Sequence, residues 1–197
     1  MKFEPDAVIG QKGRLYKGLE EALMNNRRPF IAGNWKMYKT CAEAVETAKK
    51  LAGLVSRTKD VDVMIAPPFT ALAPVHEAIK GSPLMLGAQN LFWEKEGAYT
   101  GEISPQMISS AGCSHVIIGH SERRQYFGET DLTVNKKIKA ALNNGISPVF
   151  CVGETEKERD NGDTFNILDK QIKMGLEGFS PDDLTPLIIA YEPVWAI

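Results

Sequence analysis

Residues 115–120 have the sequence HVIIGH, an apolar run that stops abruptly at a glycine followed by a histidine. Runs of the same kind recur along the chain: FIAGNW at 30–35, VDVMIA at 61–66, LMLGA at 84–88, SPVFCV at 147–152 and PLIIAY at 186–191. Their apolar content is nearly continuous instead of alternating, which is typical of parallel strands buried on both faces. The sequence therefore predicts six buried parallel strands.

Segments with helical periodicity separate these runs. The segment from Thr40 to about Arg57 begins with a capping box, Thr40 with Glu43, and carries one apolar face. Further helices or turns are predicted where a capping residue precedes an apolar stripe: after Ser104, from Thr130 to Gly145, from Asp163 to about Glu177, and at Ser180.

Strand and helix thus alternate at roughly 30 residues per unit, the size of a βαβ unit, which implies a parallel sheet with right-handed crossovers. Both a closed barrel and an open doubly wound sheet fit this alternation. No GxGxxG follows a strand and no GxxxxGK[ST] occurs, so the phosphate-binding loops common in open sheets are missing from the sequence. This favours an α/β barrel.

Composition excludes several classes of protein. The chain has 197 residues, a formal charge of -2 and 43% hydrophobic residues, without a polybasic stripe for nucleic acid or a cationic helix for a membrane. Cys41, Cys113 and Cys151 form neither an even disulfide framework nor a CxxC pair. The first 28 residues lack the apolar core of a signal peptide and, because they include acidic residues and no serine, do not resemble a transit peptide. We expect a cytoplasmic protein.

Polar residues follow three of the apolar runs directly. Asn34 and Lys36 end the first, His120 follows the fourth and Glu192 follows the sixth. Catalytic groups of β/α barrels lie at the carboxyl ends of the strands, so we expect these side chains to converge, with Asn34 and Lys36 on one strand face. Taken singly, each also fits an ordinary structural role, as an exposed lysine, a structural histidine or a surface carboxylate.

A histidine metal site is not expected. His115 and His120 are five residues apart on a predicted strand and so face opposite ways, which leaves only His76. An amine, an imidazole and a carboxylate at one barrel mouth instead suit proton transfer beside a carbonyl, without a metal or redox cofactor. Ser121 is predicted to cap a helix behind His120, and such a helix start favours the neutral imidazole.

Three longer motifs resemble those of one family. AGNWKM (32–37), IGHSERR (118–124) and AYEPVWAI (190–197) resemble triosephosphate isomerases in order and spacing, with supporting matches at APPF (66–69), GAQN (87–90), GAYTGEIS (97–104) and CVGET (151–155). The resemblance covers residues 30–197. It implies a TIM (β/α)8 barrel with about six of the eight units in residues 29–197, after an extension of unknown role at residues 1–28.

The resemblance also implies an activity and a set of site residues. The family interconverts dihydroxyacetone phosphate and D-glyceraldehyde 3-phosphate in glycolysis and gluconeogenesis, without a cofactor. Transferred to the matching positions, Asn34 and Lys36 contact substrate, His120 is the electrophile and Glu192 is the base. Glu122 is a supporting carboxylate beside the lysine.

Two further segments match parts of the family pattern. Pro193, Val194 and Trp195 resemble the first hinge of a lid, with Ala196 and Ile197 as its first residues. Gln89 to Thr100 resembles a loop that docks into a second subunit, implying a homodimer, and we expect its Leu91, Phe92, Trp93 and Tyr99 to be exposed. By the same comparison the chain stops inside the lid, so we expect weak activity from it alone. Two alternatives stay open: a noncatalytic barrel that only associates with a partner, and an isomerase of another phosphosugar.

Overall fold

A computed structural model of the chain describes residues 28–196. The predicted extension at 1–28 falls almost wholly outside the described residues, and so does the amphipathic helical stripe that its sequence predicts at Leu15, Leu19, Ala22 and Leu23. Ile197, one of the first residues of the predicted lid, also lies outside them. The division of the chain at residues 28 and 29 therefore stays a prediction.

The described residues form one six-stranded sheet in the order of the sequence. All neighbouring strands are parallel, which confirms the six predicted strands. The strands are β1 (Phe30–Asn34), β2 (Asp62–Ala66), β3 (Leu84–Ala88), β4 (His115–Ile118), β5 (Ser147–Val152) and β6 (Ile188–Tyr191).

Helices connect the strands. They are α1 (Cys41–Val55), α2 (Leu72–Ile79), α3 (Pro105–Ser110), α4 (Ser121–Tyr126), α5 (Asp131–Asn143), α6 (Glu156–Asp160) and α7 (Thr164–Gly175), with short 3-10 turns at Phe69–Ala71 and Val194–Ala196. The predicted helices after Thr40, Ser104, Thr130 and Asp163 are confirmed. The sequence pattern does not single out α2, which has Pro74 in its first turn, or α6, which is only five residues long. None of the described helices is long and apolar enough to cross a membrane.

The sheet curls so that its concave face forms an inner core. Met64, Ile117 and Val149 are buried there, together with parts of Phe30 and Ile188 from the first and last strands. The rings of Phe30 on β1 and His115 on β4 lie 5.3 Å apart, although β1 and β4 are not neighbours in the sheet. A contact across the concave face requires strong curvature, which confirms the barrel over the open sheet.

A larger core lies between the convex face of the sheet and the helices. Ile65, Leu86, Val116, Ile118 and Phe150 point outward from the strands and are almost fully buried. They pack against apolar helix residues: Ala48, Val75, Ile108, Ile138 and Ala141. Since side chains alternate along a strand, one face of each strand fills the inner core and the other fills this outer core. This explains the continuous apolar runs in the sequence.

Within residues 28–196, β1 and β6 are the two edge strands. Ile31 on β1 and Ile189 on β6 are 59% and 48% exposed, unlike the apolar residues of the inner strands. The carboxyl ends of all six strands lie at one end of the curled sheet, where the predicted site residues follow them.

Candidate active site

The predicted acid–base residues meet at the carboxyl ends of β1, β4 and β6. The imidazole Nε2 of His120 lies 2.6 Å from Oε1 of Glu192. Lys36 Nζ lies 2.9 Å from Oε1 of Glu122, which is on α4 directly after His120. Residues up to 156 positions apart in the sequence, Lys36 and Glu192, thus belong to one chain of polar contacts.

Lys36 does not share a strand face with Asn34, and this part of the prediction is wrong. β1 ends at Asn34, and Lys36 has a φ of 49°, in the left-handed region that lysine rarely occupies. Two side chains hold it there: the amide of Lys36 donates to Asn34 Oδ1 at 2.9 Å, and Gln89 Nε2 donates to the Lys36 carbonyl at 2.8 Å. The turn directs the amine towards α4, and such enforced strain is common at functional sites.

His120 caps the helix that follows it, so the predicted cap at Ser121 is wrong by one residue. The Nδ1 atom of His120 accepts a hydrogen bond from the Glu122 amide at 3.2 Å, in the manner of a side-chain cap. Only a ring nitrogen without a proton can accept, so the imidazole proton is assigned to Nε2. That proton points at Glu192, and His120 is therefore a neutral hydrogen-bond donor in this arrangement.

Glu192 is held at two points. One carboxylate oxygen faces His120 Nε2, and the other accepts a hydrogen bond from the backbone amide of Ser121 at 3.0 Å. The side chain is 18% exposed, and burial by itself raises the pKa of a carboxyl group. The hydrogen bonds from His120 and Ser121 outweigh burial, and the pKa of Glu192 is lowered. The group is an ionised carboxylate aimed at the same space as the imidazole.

A family model described as triosephosphate isomerase matches residues 29–197. The chain belongs to the triosephosphate isomerase family. This agrees with the motif resemblance and with the barrel, and it places His120 and Glu192 in a family whose reaction is an isomerisation.

Close relatives support the same assignment. The triosephosphate isomerases of Geobacter metallireducens and Citrifermentans bemidjiense are 58% and 56% identical over 171 residues, which cover 87% of this chain and 68% of each relative. A crystal structure of triosephosphate isomerase from Bartonella henselae superimposes with a TM-score of 0.79 at 40% identity. That match covers 86% of this chain and 69% of the other.

The lid hinge predicted from the family motif contacts a residue that the sequence argument did not single out. Trp195 donates its indole N–H to Glu154 at 3.0 Å, and the hydroxyl of Tyr191 donates to the same carboxylate. Val194 donates its amide to the Glu154 carbonyl, and Pro193 precedes this 3-10 turn. Glu154 is fully buried. The sequence could have indicated Glu154, because this carboxylate follows β5 within the CVGET motif.

The predicted docking loop is only partly as expected. Thr100 and Tyr99 are exposed, but Leu91, expected on the surface, is fully buried in the outer core. Gln89 also points inward, where it donates to the carbonyls of Lys36 and Ala66. The base of this loop therefore belongs to the active-site scaffold of the triosephosphate isomerase barrel, and its tip is free to contact another molecule.

The histidines have separate surroundings. His115 lies against Phe30 and contacts Ser114 Oγ at 2.8 Å, whereas His120 faces Glu192. Among residues 28–196, no group of three or more His, Cys, Asp or Glu side chains is arranged to hold a metal ion.

Proposed function

We propose that the protein interconverts dihydroxyacetone phosphate and D-glyceraldehyde 3-phosphate, through an enediolate, with Glu192 as the base and His120 as the electrophile. The observation that carries the proposal is the 2.6 Å contact between the imidazole N–H of His120 and the carboxylate of Glu192. A proton acceptor and a hydrogen-bond donor that lie in contact with each other can act on adjacent atoms of a small substrate. The family supports the choice of a triose phosphate.

Glu192 carries the proton between carbons. It removes a proton from carbon 1 of dihydroxyacetone phosphate. The electron pair of the broken C–H bond forms a double bond between carbons 1 and 2, and the carbonyl pair moves to oxygen 2, which gives the enediolate. The same proton, or one exchanged from solvent, returns to carbon 2 and gives the aldehyde. A second proton moves from oxygen 1 to oxygen 2, so the two isomers balance in atoms and charge. The lowered pKa keeps Glu192 ionised and ready to accept.

His120 and Lys36 act on the oxygens. The Nε2 proton of His120 turns from Glu192 to the substrate carbonyl once the substrate separates the two side chains, and it stabilises the negative charge that develops there. Lys36 supplies a positive charge for the enediolate and the phosphate, and Glu122 holds its amine at 2.9 Å. Asn34 shapes the turn at Lys36, and we include it among the substrate contacts as the family motif implies.

Pro193, Val194 and Trp195 form the hinge of a lid in this proposal. Closure over the substrate would exclude water from the enediolate and strengthen the electrostatic contacts around it. Glu154 supports the assignment because it holds both the Trp195 indole and the end of β6, so the hinge begins on a fixed point.

We also infer that the protein is a homodimer, with the loop from Gln89 to Thr100 at the interface. Large apolar side chains are exposed on segments that follow the carboxyl ends of β1, β3 and α4: Met37, Tyr38, Tyr99 and Phe127. Exposed apolar side chains on such segments favour contact with another molecule. The cytoplasm remains our proposed compartment, supported by free Cys113 and Cys151.

The direct test of the function is Glu192→Gln. Glutamine keeps the shape and can still accept a hydrogen bond from Ser121, but it cannot accept a proton from carbon. We expect turnover to fall by at least about 10²-fold, the lower end of a general-base contribution, with the fold unchanged by circular dichroism. Glu77→Gln, at an exposed carboxylate on α2, is the matched control and should leave turnover unchanged. Near-normal turnover in Glu192→Gln would remove Glu192 from the role of base.

A further inference from the structure

Arg124, on α4, touches the backbone on both sides of His120. Its side-chain Nε donates to the carbonyl of Gly119 at 2.8 Å. Its backbone amide donates to the carbonyl of His120 at 3.1 Å. The Arg123 amide also donates to the His120 carbonyl, at 2.9 Å, so the bond that is specific to the Arg124 side chain is the one to Gly119. The Gly119 carbonyl belongs to the peptide that precedes the His120 Cα atom, and the orientation of this peptide helps to set the direction of the imidazole.

Gly119 makes this arrangement possible. Its φ is 78°, a left-handed conformation that glycine adopts without strain. A Cβ atom at this position would lie 3.0 Å from the Cys151 carbonyl and 3.1 Å from Nη2 of Arg124. The guanidinium therefore lies directly against the turn that leads from β4 into His120. A Cβ atom at position 119 would crowd it.

The guanidinium is itself fixed. Nη1 pairs with Asp131 at 2.6 Å, at the first residue of α5, and the Arg124 side chain is only 18% exposed. Because Nε and Nη1 bond different segments, the guanidinium bridges Gly119, directly before His120, and the start of α5.

Arg124 also lies beside the base. A cavity of about 170 Å³ is lined by Arg124, Ser121 and Glu192, together with Gly119 and Gly153. Arg124 and the base thus border the same cavity.

We propose that Arg124 is a positioning residue for His120, fixing the imidazole where its Nε2 proton reaches the substrate oxygen. The inference rests on the proposed function, in which His120 stabilises charge on that oxygen. Displacing a catalytic group by about 1 Å can cost about 10²-fold in rate. A loss of the contact with Gly119 should therefore lower kcat more than it changes KM, because the affected interaction is strongest in the transition state.

The test compares Arg124→Lys with Arg28→Lys. Lysine keeps the positive charge but has a single nitrogen, so it cannot bond the Gly119 carbonyl and Asp131 with the fixed fork of arginine. Arg28 is the matched control: its side chain also pairs with an aspartate, Asp62, but it precedes β1, at the end of the sheet opposite the site. Arg123 is unsuitable as a control, because its partner Glu129 also accepts a hydrogen bond from the Gly119 amide.

We expect kcat to fall by about 10- to 100-fold in Arg124→Lys with little change in KM, and to stay near normal in Arg28→Lys. The imidazole N–H signal of His120 in proton–nitrogen NMR should shift in the first variant and not in the second. Equal losses of kcat in both, or an unshifted His120 signal in Arg124→Lys, would overturn the inference.

His120→Gln separates this inference from the proposed function. If His120→Gln loses kcat while Arg124→Lys does not, only the positioning role is wrong. If His120→Gln itself keeps normal kcat, the assignment of His120 as electrophile is wrong. The NMR comparison needs no substrate, so it judges the positioning of the ring in either case. Should Arg124→Lys fail to fold, Asp131→Asn releases the far end of the guanidinium and should shift the same His120 signal, and an unshifted signal there would also overturn the inference.

Discussion

At the scale of single residues, Glu192 shows how two opposing effects set the state of a catalytic group. Burial raises its pKa, and hydrogen bonds from His120 and the Ser121 amide lower it by more. Because the folded pKa lies below the unfolded one, ionised Glu192 stabilises the fold above its ordinary pKa. That contribution is lost as the pH falls through the lowered pKa.

The balance can be tested by titration. Carbon-13 NMR of the glutamate carboxyl groups, with Glu192 assigned by the signal that Glu192→Gln removes, should give Glu192 a midpoint below the ordinary glutamate value of about 4.3. In His120→Phe the midpoint should rise, because a ring of similar size keeps the burial and removes the donor. His76→Phe, a histidine replacement on α2, should leave the midpoint where it was. A midpoint that does not move in His120→Phe would mean that the imidazole does not stabilise the carboxylate.

At the scale of secondary-structure elements, the helix starts determine where several functional groups stand. Thr130 caps α5: its hydroxyl accepts a hydrogen bond from the Thr133 amide at 3.3 Å, while Thr133 Oγ1 accepts from the Thr130 amide at 2.9 Å. The helix buries Val134, Lys137 and Ile138, and its first residue is Asp131, the partner of Arg124. A displacement of the start of α5 would therefore be transmitted through Arg124 to the turn before His120.

Thr130→Ala should lower the free energy of unfolding by about 1 kcal/mol, the usual contribution of a helix cap. Thr130→Ser keeps the hydroxyl and should lose much less. Chemical denaturation followed by far-ultraviolet circular dichroism measures both. Equal stability of the alanine and serine variants would show that the hydroxyl does not cap α5.

At the scale of the whole molecule, the loop that bears Thr100 is a structured surface segment. Phe92 packs against both Trp93 and Tyr99, with ring centroids 4.1 and 4.7 Å apart, and these contacts stiffen the loop. Tyr99 is 44% exposed next to Thr100 at its tip. A stiff loop with an exposed tip suits insertion into a second subunit.

Replacing residues 94–98 with a short glycine–serine link should convert the proposed dimer to a monomer. The change removes only exposed residues and leaves buried Leu91 and the inward-facing Gln89 in place, so the barrel should stay folded. Sedimentation velocity measures the mass. Leu54→Ser, at an exposed leucine on the outer face of α1, is the control and should not change the mass. A shortened variant that still sediments as a dimer would place the interface elsewhere.

Local sequence patterns were enough to predict the strands, most of the helices and the chemical groups at the strand ends. Apolar runs, caps and turn glycines act over a few neighbouring residues, so the six strands, the helices after Thr40 and Thr130, and the ends that carry His120 and Glu192 could be predicted from their local pattern. The motifs gave the family, and relatives at 56% and 58% identity agree with them.

The contacts that orient those groups became visible in the folded chain alone. The left-handed turn at Lys36 depends on Gln89, 53 residues away, and the lid hinge at Trp195 depends on Glu154, 41 residues away. The burial of Leu91, the capping role of His120 and the grip of Arg124 on Gly119 likewise follow from packing around the strand ends. No local periodicity encodes such contacts, because they exist only once the curled sheet brings distant loops to one end of the barrel.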